Sequence, residues 1–212
     1  DRYKISIIAD KEWLDSEERQ YPVIIDPVIQ TKTTQSAIDT TFITSWMPDT
    51  KHHTKLELLV GTETSEYGYC RTLVKFQLPD LNKGDMIVDA KLMIASYKNN
   101  FYGDDTYNLW VNAHMIKSSW DMASVTWNNR PSFESTVLDY DYIRRNDKAN
   151  YANWKQFDIT GAVKKWYEGT VTNNGILLKG RYENTIYSKY AVKGYFWPER
   201  YNSTTQAYPF IA

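Results

Sequence analysis

Cysteine is nearly absent. Cys70 is the single one in 212 residues, so no internal disulfide forms and no thiolate cluster holds a metal. Its neighbours Tyr69 and Arg71 suit a buried, inert thiol, and one cysteine leaves the compartment open. Histidine is almost as scarce, with His52, His53 and His114 only. Adjacent residues on an extended segment point to opposite faces, so His52 and His53 are poorly placed to grip one metal together and read as surface-loop histidines. His114 is accompanied by no serine or cysteine in a recognisable nucleophile setting, so no catalytic triad can be assembled. An excess of charge is also missing: 25 basic residues meet 26 acidic ones, for a net charge of -1. That balance excludes a global basic field and argues against a nucleic-acid partner. No apolar run approaches the roughly 18 residues that a membrane-spanning helix requires, so membrane insertion is not expected.

Aromatic residues are plentiful, with 17 tyrosines and 8 tryptophans among many threonines and asparagines, which suits pleated strands joined by polar turns. Arg71 to Leu78 alternates with Thr72, Val74, Phe76 and Leu78 on one side. Met86 to Tyr97 shows the clearest period of two, with Val88, Ala90, Leu92 and Ile94 sharing a face. Leu109, Val111, Ala113 and Met115 mark another strand, with Trp110, Asn112 and His114 opposite. Further strands are predicted at Ala37 to Thr44, Leu56 to Val60, Val137 to Ile143, Trp154 to Ile159, Ile176 to Lys179 and Tyr208 to Ala212. Thr160 reads as the cap of one short helix that Gly169 stops. The fold class is therefore all-β: an antiparallel two-sheet β-sandwich of jelly-roll type with one short helix. A small strand-helix-strand connector precedes it, with a helix from Lys11 and a proline-bracketed strand ending at Pro27. We place the boundary there: residues 1–27 form the tail of a preceding module and a connector, residues 28–212 the sandwich. The chain begins at Asp1 and reads as a piece of something longer.

Ser118 to Pro131, S-S-W-D-M-A-S-V-T-W-N-N-R-P, organises the rest. Trp120 and Trp127 are seven apart, and burying an aromatic side chain is worth roughly 1.5 to 3 kcal/mol. Asn128 and Asn129 before Arg130-Pro131 favour a turn. The stretch reads as an ordered crossing pinned by indoles, a latch on the hydrophobic layer.

Sites for chemistry are fewer. Carboxylates such as Asp39, Asp104 and Asp105 are candidate calcium ligands, and Asp139 with Asp141 a candidate acid pair; solvated loop charge is the competing reading of each. The aromatics Trp46, Phe101, Tyr102, Tyr107, Trp110, Tyr195 and Trp197 lie in loops or on a strand's second face. Flat rings there stack on sugars while nearby Asn, Asp and Lys bond hydroxyls. The alternative is that they roof the sandwich or pack on a neighbouring domain.

Several segments taken together resemble one family: D-T-T-F-I at Asp39 to Ile43, L-L-V-G at Leu58 to Gly61, R-T-L-V-K-F-Q-L-P at Arg71 to Pro79, D-A-K-L at Asp89 to Leu92, the latch, and F-D-I-T-G-A-V-K-K-W-Y-E-G at Phe157 to Gly169. In this order they resemble the DNRLRE domain, a β-sandwich of carbohydrate-binding-module type, over Ile29 to Ala212. Trp120, Trp127, Asn128, Pro131 and Trp166 then stand as its structural signature. Y-P-V-I-I-D-P at Tyr21 to Pro27 resembles the lead-in of wall-associated proteins of the YD-repeat (Rhs) type, large bacterial surface proteins that often end in toxins. The resemblance implies a non-catalytic, secreted module at the bacterial cell surface, with no cofactor beyond a structural calcium. Its partners would be a cell-wall or other polysaccharide, on Trp46, Tyr102, Tyr107, Trp110, Tyr195 and Trp197, and the neighbouring domains of its parent. The competing implication is a structural spacer or plug packed on the repeat shell, without a ligand. A polysaccharide-cleaving enzyme would need a carboxylate pair in a cleft. Two departures stand out: Gln77 replaces a common aspartate, and the aromatic loop from Arg181 to Thr205 is long.

Overall fold

Among the described residues, alternating sequences build ten strands, and each of them pairs with at least one other. The computed structural model describes residues 11–16, 31, 35–63, 67–81, 85–101, 108–147, 149, 151–183, 192–198 and 208–212. After a four-residue helix α1 (Lys11–Leu14) and a 3-10 turn (Gln35–Ala37) come β1 (Ile38–Thr44), β2 (Leu58–Glu63), β3 (Gly68–Phe76), β4 (Lys91–Phe101) and β5 (Leu109–Met115). They are followed by β6 (Asp139–Ile143), β7 (Asn153–Asp158), helix α2 (Thr160–Tyr167), β8 (Ile176–Gly180), β9 (Val192–Phe196) and β10 (Phe210–Ile211). The connector's two expected strands and the boundary at Pro27 lie outside the described residues.

Every strand pairing is antiparallel, in the order β10-β4-β9-β2-β3-β8-β5-β6, with β1 added on β3 and β7 on β4. The all-β expectation holds, but the hydrogen bonding runs as one curled ten-stranded sheet where two separate sheets were expected. Strand β3 makes the passage: Gly68 to Cys70 pair with β2, and Arg71 to Val74 with β8. The inside of that bend is tight, since a Cβ on Gly180 would lie 3.2 Å from Gly61 Cα, and Gly61 itself sits at φ 108°. At the other end of the path β6 and β7 meet through side chains. The Gln156 N–H donates to Asp141 Oδ2 at 2.9 Å and the Asp158 N–H to Asp139 Oδ2 at 2.7 Å. Those two carboxylates thus satisfy a strand edge.

The inner face carries the core: Ile38, Val74, Phe76, Leu92, Ile94, Val111, Ile176, Leu178 and Phe196, with Ala162, Val163 and Trp166 of α2 packed onto it. Gly169 at φ 69° ends the helix. Thr160, expected as its cap, is its first helical residue instead. Its hydroxyl accepts from the Ala90 N–H at 2.9 Å, and its own N–H donates to Asp158 Oδ1 at 3.0 Å.

Two other expectations are corrected. The strand predicted from Met86 begins at Lys91, and Met86 and Val88 are exposed. The reason is that β7 ends at Asp158, opposite Lys91, so residues 85–89 have run past their partner. His52 is buried rather than a surface histidine, its ring stacked 4.2 Å from Phe42. Cys70 is buried as expected, and burial pushes its thiol pKa up.

Candidate functional site

Both faces of a curled sheet need accounting, because the outer face of each strand is either covered by the chain or left to solvent. Over β1, β3 and β8 the latch does the covering. Ile43, Leu73 and Leu177 point outward and are buried with Ile116 and Val125, and Trp120, Trp127 and Phe133 pack against them. The Trp120 indole N–H donates to the Asn174 carbonyl at 2.8 Å. Trp127 has the Arg71 guanidinium 4.6 Å from its ring centroid and that of Arg130 at 4.7 Å, and Tyr69 stacks at 6.5 Å. Asn128 fixes the loop after β1: its N–H donates to the Pro48 carbonyl at 3.0 Å and its side-chain amide to Asp49 at 2.8 Å. Pro131 is buried. Both indoles are half-buried rather than sealed, since each faces apolar side chains on one side and cations on the other; Lys75 Nζ is 5.0 Å from the Trp120 ring.

Beyond the latch, on β5 and β6, the outer face carries aromatic rings and cations. The alternation of β5 turns Leu109, Val111 and Ala113 into the core and Trp110 out. On β6, Asp139 and Asp141 are turned to β7, so Tyr140 and Tyr142 face outward. Trp110 stands directly opposite Tyr142, and Asn112 opposite Tyr140. The Trp110 ring centroid is 5.3 Å from both tyrosine rings, tilted 53° to Tyr140 and 50° to Tyr142, which makes an angled cradle rather than a flat shelf. Arg181, whose backbone N–H donates to the Trp110 carbonyl at 2.9 Å, sets its guanidinium 5.5 Å from Trp110 and 5.4 Å from Tyr140. Tyr140 is 50 % exposed and Tyr182 57 %. Arg144 lies 4.9 Å over the Tyr142 ring and donates to its hydroxyl at 3.0 Å.

The electrostatics are one-sided. Glu183 is buried and engaged by Arg71, whose Nε and Nη2 donate at 2.9 and 2.7 Å, and by Lys179 at 3.3 Å. Asp147 is held by Lys155 Nζ at 2.6 Å and by the Arg144 N–H at 3.0 Å. The acidic neighbours are thus committed to other groups, while the guanidiniums of Arg144 and Arg181 border the rings.

Of the residues predicted from sequence, the structure places Trp110 in this cradle. Trp46 is exposed, but in the loop after β1 beside Gly68. Tyr102, Tyr107, Asp104 and Asp105 lie outside the described residues. Tyr195 and Trp197 correct the expectation of exposure, at 5 % and 4 %. They do face away from the core, but Tyr97 stacks on Trp197 at 5.0 Å and Tyr195 packs with Phe42, Leu59 and Cys70, so the rings are used within the fold. Asp39 is paired with Lys75 at 2.8 Å, and no group of three or more metal-ligating side chains occurs among the described residues. Sequence reasoning missed Tyr140, Tyr142, Arg181 and Tyr182. The signal was the D-Y-D-Y alternation of β6, read there as a weak strand with a carboxylate pair.

Comparison with known proteins agrees in kind. The model of carbohydrate-binding module family 96 matches residues 31–193. The tRNA nuclease WapA of Bacillus subtilis strain 168 is 28 % identical over 178 residues, which is 79 % of this chain and 7 % of that protein. The tRNA3(Ser)-specific nuclease WapA of Bacillus spizizenii is 26 % identical over the same length. The chain therefore spans 7 % of the length of the curated relatives it matches.

Proposed function

The chain belongs to carbohydrate-binding module family 96, and from that premise we propose that it holds a polysaccharide on the outer face of β5 and β6 without cleaving it. The observation that carries the proposal is the cradle of Trp110, Tyr140 and Tyr142 beyond the edge of the latch, bordered by Arg144 and Arg181. Sugar rings present apolar faces that stack on such side chains, and the two cations favour polymers that carry carboxylate or phosphate groups. Asp139 and Asp141, the acid pair a hydrolase would need, accept backbone hydrogen bonds from β7, which supports a binding role. The nuclease activity in the relatives' names belongs to chains many times longer, so this segment is read as the part that anchors such a protein, secreted and at the cell surface, to glycan. Affinity electrophoresis and titration calorimetry on neutral and acidic polysaccharides test it. Trp110→Ala and Tyr140→Ala should each weaken binding at least tenfold, about 1.4 kcal/mol, with unchanged Tm. Absence of binding by the wild-type chain overturns the proposal.

A second reading, a spacer packed on a larger parent protein, rests on the exposed apolar side chains of Leu56, Met86 and Val88. Under that reading, replacing Met86 and Val88 by serine changes the chain's self-association and leaves glycan binding untouched.

A further inference from the structure

A further aromatic ring stands on β7. Trp154 is 41 % exposed, and β7 turns Lys155 and Phe157 inward while Trp154 and Gln156 face out. Phe210 of β10 holds the indole edge-on, with ring centroids 5.5 Å apart and planes at 70°, so the ring is oriented without being covered. β7 lies beside β6, since Asp141 takes the Gln156 N–H and Asp139 the Asp158 N–H. Those two bonds keep the strands antiparallel and in step, which brings the Tyr142–Ile143 end of β6 alongside Trp154–Lys155. Trp110, directly opposite Tyr142, stands one strand further on.

Trp110 and Tyr142 are thus directly opposite each other on β5 and β6, and Trp154 lies on the outward side of β7, the strand that β6 engages through Asp139 and Asp141. Paired strands lie about 4.8 Å apart, a step close to the length of one pyranose unit, and the aspartate bridges between β6 and β7 widen the second step by part of a side chain. Resting on the glycan-binding reading above, we infer that Trp154 is a further subsite of the same face. The ligand is then a linear polysaccharide lying across the strands, with consecutive sugar units over Trp110, Tyr142 and Trp154. Gln156, exposed beside Trp154, supplies the amide for hydroxyl contacts there.

Chain-length dependence separates this inference from the reading beneath it. Oligogalacturonides and cello-oligosaccharides, each from dimer to hexamer, would be titrated into the wild-type chain, Trp154→Ala, Trp154→Phe and Trp110→Ala. Wild-type affinity should climb with length until all three rings are spanned. Trp154→Ala should leave the dimer within twofold and weaken the hexamer about tenfold, with Trp154→Phe recovering most of that loss. Equal loss at every length, or no loss at any, in Trp154→Ala overturns the inference while the wild type and Trp110→Ala still report on the cradle. A wild type that binds neither series overturns both. Because the indole is half in solvent and contacts Phe210, equal Tm values will show that each variant is folded.

Discussion

Replacing Glu183 with alanine should be among the costliest single changes on the outer surface. Its carboxylate lies in a buried site between Arg71 and Lys179, whose side chains are 13 % and 17 % exposed. Removing it leaves the Arg71 guanidinium with Trp127 and Phe133 rings at 4.6 and 5.4 Å and no other ion-pair partner among the described residues. Stranding one partner of such a pair costs about 3 to 5 kcal/mol, far above the 1 kcal/mol or less of an exposed pair. Glu183→Gln retains an acceptor for Arg71 and should lose less than Glu183→Ala. Urea unfolding followed by tryptophan emission measures both, and the loss should survive 0.5 M salt because the pair is shielded from solvent. The same turn carries Arg181 and Tyr182, so the variants should also bind glycan more weakly at temperatures where they remain folded. Trp127→Ala combined with Glu183→Ala should be non-additive, since Arg71 touches both partners. A Glu183→Ala protein within 1 kcal/mol of wild type, or additive behaviour with Trp127→Ala, would refute the coupling of latch to site.

Two further outcomes follow from local geometry. At Gly175, φ is 86° and an added Cβ would stand 2.2 Å from the Val74 carbonyl oxygen, whereas at Gly169, φ is 69° with nothing within 4 Å. Gly175→Ala should therefore cost more than 3 kcal/mol or prevent folding, and Gly169→Ala only about 1 kcal/mol; comparable thermal shifts would contradict the difference. Burial lowers the His52 pKa from 6.5 to about 4, and Lys55 adds to the effect. A histidine depressed in the folded state stabilises fully above pH 6.5, and that stability drains away as pH falls toward 4, by roughly 3 kcal/mol in all. His114, also lowered by burial, acts in the same direction. Urea midpoints taken from pH 7.5 to 4 should slope accordingly, and His52→Asn should flatten the profile.

Period-two patterning told which side chains point to the core, and it did so correctly for Val111 and Ala113 on β5 and for Val74 and Phe76 on β3. It could not tell what becomes of the other face. Trp110 and Trp197 are both turned away from the core, yet Trp110 borders solvent and Trp197 is enclosed beside Tyr97. Connectivity decides that difference for Trp110. The latch leaves the end of β5 and closes on itself there, with Ile116 bridged to Phe133, the Lys117 N–H bonded to the Ser132 carbonyl and the Glu134 N–H to the Met115 carbonyl. From that root its apolar side chains reach back over β8, β3 and β1, and the chain then turns the other way into β6. The outer face of β5 and β6 is left on the far side of the root, which is why the tryptophans of the latch support the fold while Trp110 and the tyrosines of β6 remain at the surface. The D-Y-D-Y run of β6 adds what the latch does not supply: its aspartates satisfy the edge of β7, and in doing so they hold its tyrosines outward and set β7, which carries Trp154, beside β6. One five-residue strand thus does structural work with its odd-numbered side chains and leaves the even-numbered ones at the surface.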